Sequence, residues 1–178
     1  MKKIVLTFGL ISGAIASVMM LITLPFHDTL GEDRSLILGY TSMVLAFLLV
    51  FFGVRSYRDN VAGGTVRFGR AFAVGALIAL VSSLCYVATW EVTYFNFAPD
   101  YLTKYQAREL EKARAGGASE EALSKQKAEM DKLAAMYKNP AINAAMTLVE
   151  PLPVGLIVAL VSAGVLSRRK KSPAAETA

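Results

Sequence analysis

Residues 71–90 read AFAVGALIALVSSLCYVATW, twenty consecutive positions without a charge. Coiled at about 1.5 Å per residue, such a run is about 30 Å long, the thickness of a bilayer's hydrocarbon core. In lipid every backbone N–H and C=O must be bonded within its own segment, which a helix achieves and a lone strand does not. Working outward, the same absence of charge marks residues 4–24, 36–54 and, interrupted by Glu150, 141–167. None of these runs shows the short alternating strands of a membrane barrel. The predicted fold is all-α: a polytopic membrane protein with four transmembrane helices at about residues 4–24, 36–54, 71–90 and 142–167. The composition agrees, with 54% apolar and 19% charged residues in 178, against about 25% charged in soluble domains. An ordinary one-domain soluble enzyme and a disordered chain are both excluded.

Lysine and arginine at the span ends orient the chain. Lys2 and Lys3 precede the first span, Arg55, Arg58, Arg67 and Arg70 lie between the second and third, and Arg168, Arg169, Lys170 and Lys171 follow the fourth. The connection between spans one and two instead carries Asp28, Glu32 and Asp33 against Arg34. Both termini and the middle connection are therefore expected to face the cytoplasm, with 168–178 as a disordered basic tail. Lys2-Lys3 and the small residues 14–17 also resemble a cleavable secretory signal. The apolar run continues through 18–24 beyond any such cut, which favours a retained helix. The net charge of +5 then points to a lipid surface and not to nucleic acid.

Lipid gives one helix no hydrophobic reason to bind another, so small residues that admit close backbone approach take over. Gly9, Gly13 and Ser17 recur at four-residue intervals in span one, Ala71, Gly75, Ala79 and Ser83 in span three, and Gly155, Ala159 and Ala163 in span four. Each set falls on one helix face. Span two is bulkier, with Leu45, Phe47, Leu48, Leu49, Phe51 and Phe52, and is expected to show more of itself to lipid. The seams serve contacts within one chain or in a homo-oligomer.

Residues 91–140 carry eight basic and eight acidic side chains. Gly116-Gly117 divides this segment into one helix over 99–115 and a second, capped by Ser119, running to Lys138. Narrow apolar stripes follow from Tyr101, Leu102, Tyr105 and Leu110 on the first and Leu123, Met130, Leu133 and Tyr137 on the second, and Asn139-Pro140 ends the pair. The expectation is an outward-facing helical hairpin of about 25 Å reach, either a docking arm for a membrane or periplasmic protein or a solvated connector. Trp90, Tyr94, Phe95 and Phe97 at its root read as an interfacial aromatic belt.

Glu150 is the most informative single residue, because a carboxylate in a span is costly and invites a functional hypothesis. Pro151 and Pro153 leave the carbonyls of Thr147 and Val149 without helical donors. Either the span is kinked with Glu150 inside it, or 141–149 lies along the interface and the span starts at Pro151. Helical rise places Glu150 about 25 Å and Glu91 about 30 Å from the inner boundary. The two carboxylates could share a proton or a cation, or take bonds from Lys104 or Arg34. His27 beside Asp28 is weak evidence for acid–base chemistry, and Cys85 stands alone within a span. No catalytic residue, cofactor site or metal cluster is assigned.

The stretch GGTVRFGRAF over 63–72, then Tyr86, Trp90-Glu91 and Tyr94-Phe95-Asn96-Phe97, and later Asn139-Pro140 and TLVEPLPVG over 147–155, come in an order that resembles the bacterial membrane family catalogued as domain of unknown function 4199. The resemblance spans nearly the whole chain. It implies four membrane helices with a polar segment before the last, and no reaction. The sequence therefore predicts a non-enzymatic structural, scaffolding or regulatory bundle in the lipid bilayer, with a small oligomeric transporter or proton/cation-coupled component using Glu150 as the alternative.

Overall fold

The structure, a computed structural model, describes residues 1–24 and 32–167, and these are helical apart from short connections. In chain order the helices are α1 (Lys2–Thr23), α2 (Glu32–Asn60), α3 (Phe68–Asn96), α4 (Tyr101–Ala115), α5 (Glu120–Tyr137), α6 (Pro140–Leu148) and α7 (Pro151–Leu166). Among the described residues four stretches are long and apolar enough to cross a membrane: Lys2–Thr23, Ile37–Asn60, Phe68–Asn96 and Pro140–Leu166, the last comprising α6 and α7. At 29 residues each, α2 and α3 outrun the apolar stretches that predict them. The polar residues beyond those stretches extend the same ladders, as Arg55 does by pairing with Asp59 one turn on, at 3.6 Å. The basic tail predicted for 168–178 lies outside the described residues.

The chain divides into two compact units, one taking it to Tyr86 and again from Glu150, the other comprising Val87–Val149. Within the first, the contacts of five glycines fix how the helices run. A Cβ on Gly9 would lie 2.7 Å from Val81 Cβ, and one on Gly13 2.6 Å from Cys85 Cβ. The partner number rises with the residue number, so α1 and α3 are parallel. A Cβ on Gly75 would lie 2.9 Å from Ala159 Cβ, and one on Gly155 2.7 Å from Ala79 Cβ. Here the numbers run oppositely, so α3 and α7 are antiparallel. Ser12 donates to the Ala46 carbonyl at 2.8 Å and Gly53 sits against Phe8, which makes α1 and α2 antiparallel too. The start of α1, the end of α2, the start of α3 and the end of α7 thus meet at one end of this unit.

Its core fills the seams between these close approaches. Met43, Phe47, Val50 and Val54 of α2 pack with Val74, Ile78 and Ala79 of α3 and Ala159 and Ala163 of α7. Phe47, expected among the bulky residues turned to lipid, is 1% exposed and is instead the largest of the fully buried side chains. Leu45, Leu48 and Phe52 lie on the outer face as expected. The reason is geometric: a ring can enter only where the opposing helix offers no side chain, and Gly155 leaves that space beside Phe47. One polar seam runs through the same core. Ser82 donates to Ser12 at 3.0 Å and Ser12 to Ala46, so hydroxyls tie α1, α2 and α3 without leaving either donor unpaired.

The second unit contains the end of α3 from Val87, then α4, α5 and α6. Gly117, with φ 84°, takes the left-handed turn that ends α4. Ser119 then caps α5 by accepting from Ala122 N at 3.2 Å, and Glu120 and Glu121 occupy the first turn, where the helix dipole favours them. Gln106 of α4 reaches Asp131 of α5 at 2.7 Å, and Lys127 completes the carboxylate at 2.8 Å. Asn139-Pro140, expected to end the helical pair, also opens the next helix. The Asn139 side chain accepts from Ala141 N at 3.0 Å, with Pro140 in the first turn of α6.

Two outcomes are expected. Gly155→Leu should cost about 1–3 kcal/mol through overpacking and lower the melting temperature in detergent, whereas Gly164→Leu, with nothing within 4 Å of its Cβ, should not; equal melting of the two variants would contradict the packing. The bonds from Gln106 and Lys127 hold Asp131 below the ordinary carboxylate range. Their support is therefore complete above the unfolded carboxylate's pKa of about 3.9 and fades as pH falls through the lower folded value. Amide exchange in α4 and α5 should quicken over that acid range, and Asp131→Asn should remove the effect.

Candidate functional site

Pro151 and Pro153 shape the surroundings of Glu150. With no N–H to give, they stop the helical ladder at Leu148, and α7 restarts with Pro151 at its first position. Val149 and Glu150 keep right-handed helical torsions, at φ −62°, ψ −22° and φ −77°, ψ −61°. Glu150 occupies the cap position of α7, where negative charge is favoured, although its side chain makes no capping bond. The residue is exposed and accepts a hydrogen bond from the Tyr86 hydroxyl. Lys104, one of the partners the sequence offered, pairs with Asp100 at 2.8 Å.

The α3–α7 register carries a second polar group to this level. Gly75 faces Ala159 and Ala79 faces Gly155, so one turn on, Ser83 stands opposite Pro151. Ser83 is 0% exposed, and its hydroxyl finds no hydrogen-bond partner among the described residues. A carboxylate and a phenol thus meet where α7 begins, with the Ser83 hydroxyl bonded to neither. Such a pair can hold a proton. Ser83 and Tyr86 escape attention in the sequence because hydroxyls do not interrupt an apolar run as charges do.

Glu91 belongs to the second unit and sits on α3 one residue after Trp90. It is half-buried, and its Oε1 is buried without a partner among the described residues. Trp90 and Tyr94, expected in a belt facing the interface, are 9% and 6% exposed and turn into the protein. Phe97, at 79% exposed, remains outside. The cause is Asn143. Its Oδ1 accepts from Trp90 Nε1 at 3.0 Å and from Thr147 Oγ1 at 3.2 Å, while its Nδ2 donates to the Tyr137 carbonyl at 3.3 Å. Tyr101 closes on the Trp90 ring edge-to-face at 5.1 Å. Asn143 is visible in the sequence only as a polar residue in the uncharged run 141–149, and its wholly buried position joins α3 to α6.

The predicted packing residues Gly9, Gly13, Gly75, Ala79, Gly155 and Ala159 all lie on buried faces of the first unit. The half-buried Cys85 packs its Cβ against Gly13. Among the described residues no group of three or more His, Cys, Asp and Glu is placed to hold a metal ion. His27 and Asp28 lie outside the described residues.

A family model described as "Protein of unknown function (DUF4199)" matches residues 7–168, and the chain belongs to that family. No curated protein and no solved structure shows significant similarity to it.

The Asn143 network should be measurable through Trp90, the single tryptophan of the chain. Asn143→Ala leaves two donors unpaired and should cost about 1–2 kcal/mol, seen as earlier thermal unfolding by Trp90 fluorescence. Asn60→Ala, at an exposed helix end, serves as the reference and should leave the melt unchanged.

Proposed function

We propose that this DUF4199 protein is a non-enzymatic bundle of the inner membrane with a structural, scaffolding or regulatory role. Both termini and the α2–α3 connection face the cytoplasm, and the charged helices α4 and α5 face outward as a surface for a membrane or periplasmic partner. The observation that carries this reading is the packing of the first unit. At Gly9, Gly13, Gly75 and Gly155 an added Cβ would meet a neighbouring helix within 2.9 Å or less, so these seams are closed by contact between helices. The charge distribution supports the orientation, since Arg55, Arg58, Arg67 and Arg70 gather around the α2–α3 connection. The common end shared by the start of α1 and the end of α7 suits two termini on one side.

A second reading has its own observation. The Tyr86 bond to Glu150 and the unpartnered Ser83 hydroxyl suit a proton- or cation-coupled component, in which Glu150 would be the titrating group. Four spans are few for a carrier, and this role would call on a homo-oligomer.

Two measurements decide between them. A periplasm-dependent reporter inserted after Ala118 should be active and one inserted after Gly63 inactive; the reverse pattern would overturn the orientation. In reconstituted vesicles, proton and cation flux should stay at the background of protein-free vesicles, and Glu150→Gln should change nothing. Flux that Glu150→Gln abolishes would replace the scaffold by the transporter.

A further inference from the structure

The α2–α3 connection and its flanks contain four arginines, Arg55, Arg58, Arg67 and Arg70, and between residues 36 and 90 Asp59 is the sole carboxylate. Asp59 is already taken. Arg58 binds it at 2.7 Å and Arg55 approaches it at 3.6 Å. Arg67 and Arg70 make no ion pair among the described residues, and these two line an open hollow of about 630 Å³ with Met1, Gly69 and Ala73. No carboxylate among the described residues contributes to its wall.

The hollow is organised as well as positive. Arg70 Nη1 donates to the hydroxyl of Tyr57 at 3.3 Å. Tyr57 is 4% exposed and belongs to the core of the first unit, so one guanidinium is steered by a fixed group and keeps its other N–H groups for a ligand. Gly69 lies between the two arginines, and nothing stands within 4 Å of where its Cβ would be, which leaves the backbone open to close approach.

The local sequence is also the reverse of what a helix start prefers. Helix α3 begins at Phe68 with no acidic residue in its first turn. Its ladder opens with Ala71 N bonding Arg67 O at 3.0 Å, so the N–H groups of 68–70 have no acceptor within the helix. Arg67 and Arg70 flank these donors and add positive charge at the positive end of the dipole, an arrangement that costs energy unless an anion is present. Planar guanidinium groups beside free backbone N–H groups match the tetrahedral oxygens of a phosphate.

We propose that the hollow lined by Arg67, Gly69 and Arg70 binds a phosphate group, presented by an anionic lipid headgroup or by a soluble phosphate. The bound oxygens replace the carboxylates that Arg67 and Arg70 lack and accept from the first-turn N–H groups of α3.

The test uses the full chain in neutral detergent, with native mass spectrometry counting bound molecules and Trp90 fluorescence following melting. The probes are short-chain phosphatidylglycerol, short-chain phosphatidylcholine with the same chains, and inorganic phosphate. Phosphatidylglycerol should bind at one site and raise the melting temperature. The variants Arg67→Gln and Arg70→Gln should each weaken it about tenfold, the loss of one charge-assisted bond. Arg55→Gln, which removes an arginine already committed to Asp59, should leave binding within twofold. Inorganic phosphate competing with the same dependence on Arg67 would support the site and identify the soluble source; phosphate that does not compete while phosphatidylglycerol binds would identify the lipid. Equal binding of phosphatidylcholine, or equal losses for Arg55→Gln and Arg67→Gln, would overturn the proposal in favour of diffuse surface charge. Each variant's own melting temperature without probe confirms that it is folded.

Discussion

Where Gly155 faces Ala79 and Gly75 faces Ala159, two helix backbones lie so near that one additional carbon on either glycine would meet the other helix at 2.7–2.9 Å. In a bilayer this closeness does the work that water expulsion does elsewhere, because lipid tails solvate leucine as well as another helix would. Dispersion between closely approached surfaces has to hold the helices, and it falls off within a fraction of an ångström of separation. The rest of the first unit follows from that contact. Phe47 fills the space beside Gly155, α2 is drawn into the core by that ring, and Leu45, Leu48 and Phe52 are left outside.

Polar side chains supply the second kind of attachment, and the two units use them differently. In the first, each serine of the Ser82–Ser12 pair spends its donor, and the chain of bonds ends on the Ala46 carbonyl. In the second, Asn143 engages both faces of its amide, with Trp90 and Thr147 on the oxygen and the Tyr137 carbonyl on the nitrogen. A satisfied buried amide of this sort specifies one packing, since any slip of α3 against α6 would strand several polar atoms at once. Trp90 is drawn inward for the same reason: burying its ring is favourable only if the N–H is answered, and Asn143 answers it.

The membrane helices are legible in the sequence because charge is absent for the length a bilayer demands, and Ser119 and Gly117 are legible because caps and left-handed turns accept few residue types. Helix ends are less legible. The ladder of α2 continues through Arg55 to Asn60 on local pairing that hydropathy does not register. The glycine spacing marks a face without naming its partner, and only the structure matches Gly13 to Cys85 or Gly155 to Phe47. Tertiary hydrogen bonds were the least legible of all. Trp90 has the composition of an interfacial anchor, and nothing near it in the chain announces an acceptor 53 residues away. Glu150 stands out as a charge, whereas Tyr86, which bonds it, is one more aromatic in an apolar run.

Two places in the first unit depart from what their local setting favours, and they are not equivalent. Glu150 puts a carboxylate in a predicted span, yet it sits at the cap of α7 where the helix dipole favours negative charge, and Tyr86 supplies a donor. Both offset part of its cost from within the chain. Arg70 donates to the Tyr57 hydroxyl, but no carboxylate among the described residues pairs with Arg67 or Arg70: both add positive charge to the positive end of α3, and Asp59 is occupied by Arg55 and Arg58. Sequences that fold well agree with their local preferences, and the exceptions concentrate where function is served. The glutamate has a donor and a helix dipole within the chain, whereas no carboxylate among the described residues answers the arginines, and the proposed phosphate is therefore placed beside them.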